Sequence, residues 1–143
     1  MKVFVIYAND CKEEVEQLRK EISDKYGEKT VLRMNSKGRK KSIIKHAWHK
    51  DAIKMMKLAD FIVYALSDKS ITNKNVNWEL NKAIKLNKYI VCIPLAYSKK
   101  EISLNDCLCV LDSTTKEETY RADIIKSKES LFDIINEYNS DEP

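Results

Sequence analysis

A three-layer α/β fold, with helices on both faces of a central parallel sheet of about five strands, is what this 143-residue sequence predicts. Four short apolar runs alternate with charged amphipathic segments, the pattern of repeated strand–helix units. Only two Gly and two Pro leave little room for long structureless stretches. With right-handed crossovers, the economical strand order is 2-1-3-4-5, and the chain reverses direction between strands 1 and 3.

Val3 to Ala8 reads as a buried strand. Lys12 to Tyr26 follows as a helix, with Val15, Leu18, Ile22 and Tyr26 at helical spacing, early acids at the positive end of its dipole and Gly27 to end it. Thr30 to Met34 is a short strand and Asn35 to Lys41 a polar loop containing Gly38. Ser42 is placed to cap a second helix running to about Leu58, whose apolar face is Ile44, Trp48, Ala52, Met55 and Met56. Phe61 to Leu66 is the third strand, Ser67 to Lys74 a polar loop, and Asn75 opens a third helix reaching about Asn87. Tyr89 to Leu95 is the fourth strand; a fifth is expected around Leu108 to Leu111, and Glu129 to Tyr138 closes the chain as a helix.

This length fits one domain over residues 1–143, since domains cluster around 100 to 150 residues, with a short acidic end from about residue 139. Hydrophobic residues at 43% and charged residues at 34% are a soluble globular balance. No apolar run approaches the roughly 18 residues of a membrane span, and Met1-Lys2 leads directly into Val3-Phe4-Val5-Ile6 without a signal-peptide layout, so a cytoplasmic protein without membrane contact is expected. Cys11, Cys92, Cys107 and Cys109 are too sparse for a disulfide framework and read as reduced thiols. Cys107-Leu108-Cys109 lacks a second pair at zinc spacing, and His46 with His49, three apart on a helix, lacks an evident carboxylate or thiol partner; no metal site is expected. A net charge of +4, without a broad basic face interleaved with aromatics, disfavours nucleic acid as a partner.

Ligands of such sheets bind where the strand order reverses, which directs attention to Ala8-Asn9-Asp10, Leu66-Ser67-Asp68 and the helix starting beside them. On that helix Val76, Leu80, Ala83 and Ile84 form the buried stripe, and Glu79 falls at its edge, neither core nor fully solvated. A carboxylate so placed can accept hydrogen bonds from a ribose diol or stabilise an oxocarbenium-like cation; equally, it can be an ordinary acid near a helix N-terminus. Asn9 and Asp10 could hydrogen-bond a ribose or nicotinamide, or Asp10 could cap the helix from Lys12. Ser67 carries the same ambiguity. Trp78 points away from the stripe, either exposed for stacking or packed under a neighbouring loop.

Three segments in order, Val3-Phe4-Val5-Ile6-Tyr7-Ala8-Asn9-Asp10, Ala59-Asp60 leading into Phe61-Ile62-Val63-Tyr64-Ala65-Leu66-Ser67, and Val76-Asn77-Trp78-Glu79-Leu80-Asn81-Lys82-Ala83 followed by Tyr89 to Leu95, resemble a bacterial TIR-like domain. The small stand-alone TIR-like proteins of antiphage defence systems are the most similar in pattern, over residues 1 to about 95. The resemblance implies a flavodoxin-like fold and, in catalytic members, cleavage of the nicotinamide glycosidic bond of NAD by an essential glutamate, whose position Glu79 matches. Asn9, Asp10, Ser67 and Trp78 would then contact NAD, which enters as substrate rather than cofactor. Members hydrolyse NAD, or cyclise or transfer its ADP-ribose to make a signal for an effector protein, and many act only after self-association.

The basic loop Lys37 to Lys41 occupies the place that such domains use for closure over substrate or for association. Family members often carry Trp where this chain has Asn75, and Ser or Thr where it has Ala8; these two departures favour a non-catalytic interaction domain as the second reading. Without G-x-G-x-x-G after the first strand, a hydride-transferring dinucleotide enzyme is disfavoured. A phosphoacceptor receiver is disfavoured as well, because Ser67 stands where the third strand would end in an aspartate.

Overall fold

Five parallel strands, in the order β2-β1-β3-β4-β5, form the sheet of the computed structural model, which describes residues 1–34 and 47–140. The strands are β1 (Val3–Ile6), β2 (Val31–Leu32), β3 (Phe61–Leu66), β4 (Ile90–Pro94) and β5 (Ala122–Ile124). The helices are α1 (Lys12–Tyr26), α2 (Ala47–Leu58), α3 (Lys74–Lys85), α4 (Leu104–Cys107), α5 (Ser113–Lys116) and α6 (Lys128–Ser140). The architecture is the flavodoxin-like arrangement that the alternation of apolar runs predicts.

Strands β1 and β3 are buried along their whole length, because each is covered on both faces. Their register pairs Val3 with Phe61 and Ile6 with Tyr64, and β3 continues onto β4 from Ile62 with Ile90 to Leu66 with Pro94. Alternate side chains then go to opposite layers. Phe4, Ile6, Ile62, Tyr64, Leu66 and Cys92 meet Ala52 and Met56 of α2 and Val76, Leu80, Ala83 and Ile84 of α3. Val3, Val5, Phe61, Val63 and Val91 meet Val15, Leu18 and Ile22 of α1 and Leu131 and Ile135 of α6.

Helix α1 spans the predicted residues, and Gly27 ends it at φ 103°, a conformation that side chains with a Cβ rarely adopt. Asn73, rather than Asn75, starts α3: its side chain accepts hydrogen bonds from the backbone N–H groups of Asn75 (2.9 Å) and Val76 (3.0 Å). Asn87, at φ 58°, reverses the chain after α3. The Ser42 cap, Ile44, His46 and the basic loop Lys37 to Lys41 lie outside the described residues, as do residues 141–143 of the acidic end.

One strand is displaced from its expected position. Leu108 to Leu111 is not β5 but a turn after α4, whose Leu108, Val110 and Leu111 close the α2–α3 side of the core. The fifth strand is Ala122–Ile124, registered on Ile90 to Cys92, and its exposed Asp123 marks it as an edge. An apolar run signals burial, and burial here comes from packing over the sheet face rather than from pairing within it.

Among the described residues, no helix is long and apolar enough to cross a membrane.

Candidate functional site

At the carboxyl ends of β1 and β3 the backbone leaves the sheet in two tight turns, Asn9–Cys11 and Ser70–Thr72. The side chains of these turns bond to one another across the gap. Ser67 Oγ donates to Asp10 Oδ1 at 2.7 Å, and the Lys69 backbone N–H donates to Asp10 Oδ2 at 3.0 Å. Ser67 Oγ in turn accepts from the Ser70 N–H (3.2 Å), while Ser70 Oγ accepts from the Ser67 N–H (3.0 Å) and donates to the Ser67 carbonyl (2.9 Å). Because the single Ser70 hydroxyl proton is already directed at that carbonyl, the Tyr64 hydroxyl, 2.7 Å away, is the donor in their bond. Burial raises the Tyr64 phenol well above its ordinary range and keeps it in that donor form.

Asp10 therefore does not cap α1; the residue before that helix is Cys11, which provides no side-chain cap. The carboxylate reaches across to the β3 loop because Ser67 and the Lys69 amide present two donors there, a stronger pairing than one helix-end N–H offers. Ser67 is wholly buried and positions Asp10, while Asn9 beside it is exposed. The Cys11 thiol, buried against the same turn, donates to the Ala8 carbonyl at 3.4 Å, and burial pushes its pKa up.

Glu79 lies deeper than the edge position expected of it, at 2% exposure. Val76, Glu79, Leu80 and Ala83 follow the i, i+3, i+4, i+7 spacing of a single helical face, and close packing of α3 on the sheet takes in the whole width of that face. A carboxylate at such depth is costly unless other groups compensate its charge, and Glu79 is not a free group. Trp78 packs against α2. Its ring stacks on His49 at 3.9 Å and 11°, and meets Trp48 edge-on at 5.4 Å, both on α2.

The structure thus joins Asp10 to Ser67 directly, and sets Glu79 inward and Trp78 against α2 on the helix into which the β3 loop runs. Ser70 and Tyr64 complete the network but escape sequence reading. A Ser-x-x-Ser spacing at a strand end was the available signal, since a serine three residues on can return a bond to the strand's last backbone groups. Asp68 is also informative only in three dimensions: its Oδ1 accepts from Ser98 N–H (3.1 Å) and Ser98 Oγ (2.9 Å), linking the loops after β3 and β4.

Cavities open among the described residues away from these side-chain bonds. One, of about 230 Å³, lies on the outer side of α3 beside Asn77, Trp78 and Asn81. Another, of about 700 Å³, lies beyond β4 between Pro94, Tyr97, Ile102 and Lys126. Among the described residues no cluster of His, Cys, Asp and Glu is arranged to hold a metal ion. Neither the models of known protein families nor the curated proteins provide a match to this chain.

Proposed function

We propose that this chain is a TIR-like NAD-consuming enzyme of the cytoplasm, in which Glu79 is the catalytic carboxylate. The observation that carries the reading is Glu79 itself, a carboxylate held at 2% exposure on the helix that follows β3. It is supported by the Asp10–Ser67 pair at the point where strand order reverses.

In the proposed reaction the bond between C1′ of the ribose and the nicotinamide nitrogen breaks heterolytically. Its electron pair leaves with the nicotinamide, neutralising the pyridinium, and C1′ becomes cationic. The Glu79 carboxylate stabilises that cation more strongly than the ground state, because low-dielectric surroundings strengthen the attraction. Water attacks C1′ and loses a proton to give ADP-ribose; a nucleophile within the same molecule gives a cyclic product, and an external acceptor a conjugate. Asp10 and the exposed Asn9 contact the substrate, Ser67 positions Asp10, and Trp78 braces α3 against α2. Self-association activates the enzyme, and its product acts on an effector protein in antiphage defence.

The test is incubation of the purified chain with NAD, alone and under assembly-promoting conditions, with mass spectrometry of the small molecules. Nicotinamide release should fall at least about 100-fold in Glu79→Gln, the loss typical of removing a transition-state electrostatic group. Release unchanged by that substitution sinks the assignment.

A second reading, a non-catalytic interaction domain, is favoured by Ala8, which is 3% exposed and brings no hydroxyl to the site, and by Asn75. It predicts no NAD turnover in any assembly state, and partner binding that survives Glu79→Ala.

A further inference from the structure

The cavity of about 700 Å³ beyond β4 belongs to neither Glu79 nor the Asp10 network, and its lining has a definite chemistry. Its volume lies within the roughly 300–1,000 Å³ of small-molecule sites. It opens at the carboxyl end of a parallel sheet, the end at which such folds bind ligands. Two separate segments build it. The chain leaving β4 contributes Tyr97, Lys99 and Lys100, and the residue following Ile125 contributes Lys126.

Both segments are anchored. The Leu95 N–H donates to the Leu66 carbonyl (2.8 Å), Ser98 is held by Asp68, and the Ile125 N–H donates to the Cys92 carbonyl (2.9 Å). Between the first two anchors Ala96 takes φ 57°, a left-handed conformation uncommon for a residue with a side chain. Such strain persists where the surroundings enforce it, and it concentrates at ligand clamps.

Charge selects the ligand. Lys99, Lys100 and Lys126 bring three ammonium groups, against one carboxylate from Glu101, and among the described residues none of the three lysines forms an ion pair. Tyr97 joins the lining, but its hydroxyl is closed to solvent, with Asp106 and Asp68 nearby and no hydrogen-bond partner among the described residues, so the cavity's polar contacts come from the lysines.

We propose that this cavity is a binding site for a phosphorylated small molecule of nucleotide size, its phosphates held by Lys99, Lys100 and Lys126. The site is independent of the NAD-cleaving reading and stands or falls without it.

Isothermal titration of the full chain with ADP, and separately with inorganic pyrophosphate, tests the proposal. Saturable binding is expected for at least one of the two, weakened by added salt and about tenfold weaker or more in Lys126→Glu, as removal of a charge-assisted contact implies. Lys99→Ala/Lys100→Ala should weaken binding as well. All three lysines are exposed, so these variants keep the fold, which circular dichroism checks. If neither ligand binds, or if binding is indifferent to the lysine substitutions, the proposal is overturned. Pyrophosphate binding equal to ADP binding assigns recognition to the phosphates; tighter ADP binding extends it to the nucleoside.

Discussion

Removing the Ser67 hydroxyl should be among the costlier single-atom changes at the carboxyl edge of this sheet. Ser67→Ala deletes the 2.7 Å bond to Asp10 Oδ1, a hydrogen bond to a charged acceptor of the kind that contributes about 1.5–3 kcal/mol. It also removes the acceptor of the Ser70 N–H, a buried donor whose isolation costs about 1–3 kcal/mol. The Asp10 carboxylate keeps the Lys69 N–H, and Ser67 keeps its own backbone bonds with Ser70, so part of the network survives. A net loss of about 3 kcal/mol follows, or a fall in Tm of about 10 °C for a chain of this length. Urea denaturation would read it as a lower midpoint with unchanged slope. A double-mutant cycle with Asp10→Ala isolates the shared bond, and the two substitutions together should cost less than their sum by about 1.5 kcal/mol or more. Strict additivity, or a Ser67→Ala loss below about 0.5 kcal/mol, refutes the hydrogen-bonded account of this turn.

Further outcomes follow from the titrating groups. Tyr89 donates to Asp123 at 2.6 Å, and burial followed by that bond lifts its phenol far above the ordinary value of 10.0, as burial does for Tyr64. Raised folded-state values mean stability that is complete below pH 10 and declines as pH rises beyond it; in an absorbance titration these two tyrosines should ionise last, with unfolding, and Tyr89→Phe should shrink the alkaline loss. At the acid end, the Glu16 carboxyl is partly desolvated, but bonds from Arg33 and Arg19 outweigh that and hold it below 4.5. Its contribution is present above pH 4.5 and lost as pH falls through the lowered value, so Glu16→Gln should flatten the acid limb of a stability profile. Of the four thiols Cys109 alone is exposed, and burial of part of its surface still raises its pKa; native-state alkylation should modify one cysteine, faster as pH rises, and Cys109→Ser should abolish it.

How far the sequence reaches depends on whether local pattern or tertiary contact decides an element. Strands β1, β3 and β4 are legible because burial on both faces demands unbroken apolar runs, and α1 because its apolar spacing is bracketed by acids and a glycine. Strand β5 is illegible because three residues at an edge, one of them Asp123, carry no periodicity, while the apolar Leu108 to Leu111 advertises burial of a different kind. At the candidate site, strand ends bring Asp10 and Ser67 to the right place. Whether Asp10 turns back to its own helix or across to β3 depends on donors 57 and 59 residues away. The depth of Glu79 is half legible: its i+3 relation to Val76 is in the sequence, and the closeness of α3 to the sheet is not.

The brevity of the outermost strands, two residues in β2 and three in β5, limits how copies of this chain can associate. A rim that offers so few backbone donors and acceptors is a poor template for another sheet to dock against, so assembly by strand addition has little to extend. Contacts between copies would fall instead to side chains on the helical layers, where charge and aromatic placement choose the geometry and where single substitutions can disrupt it.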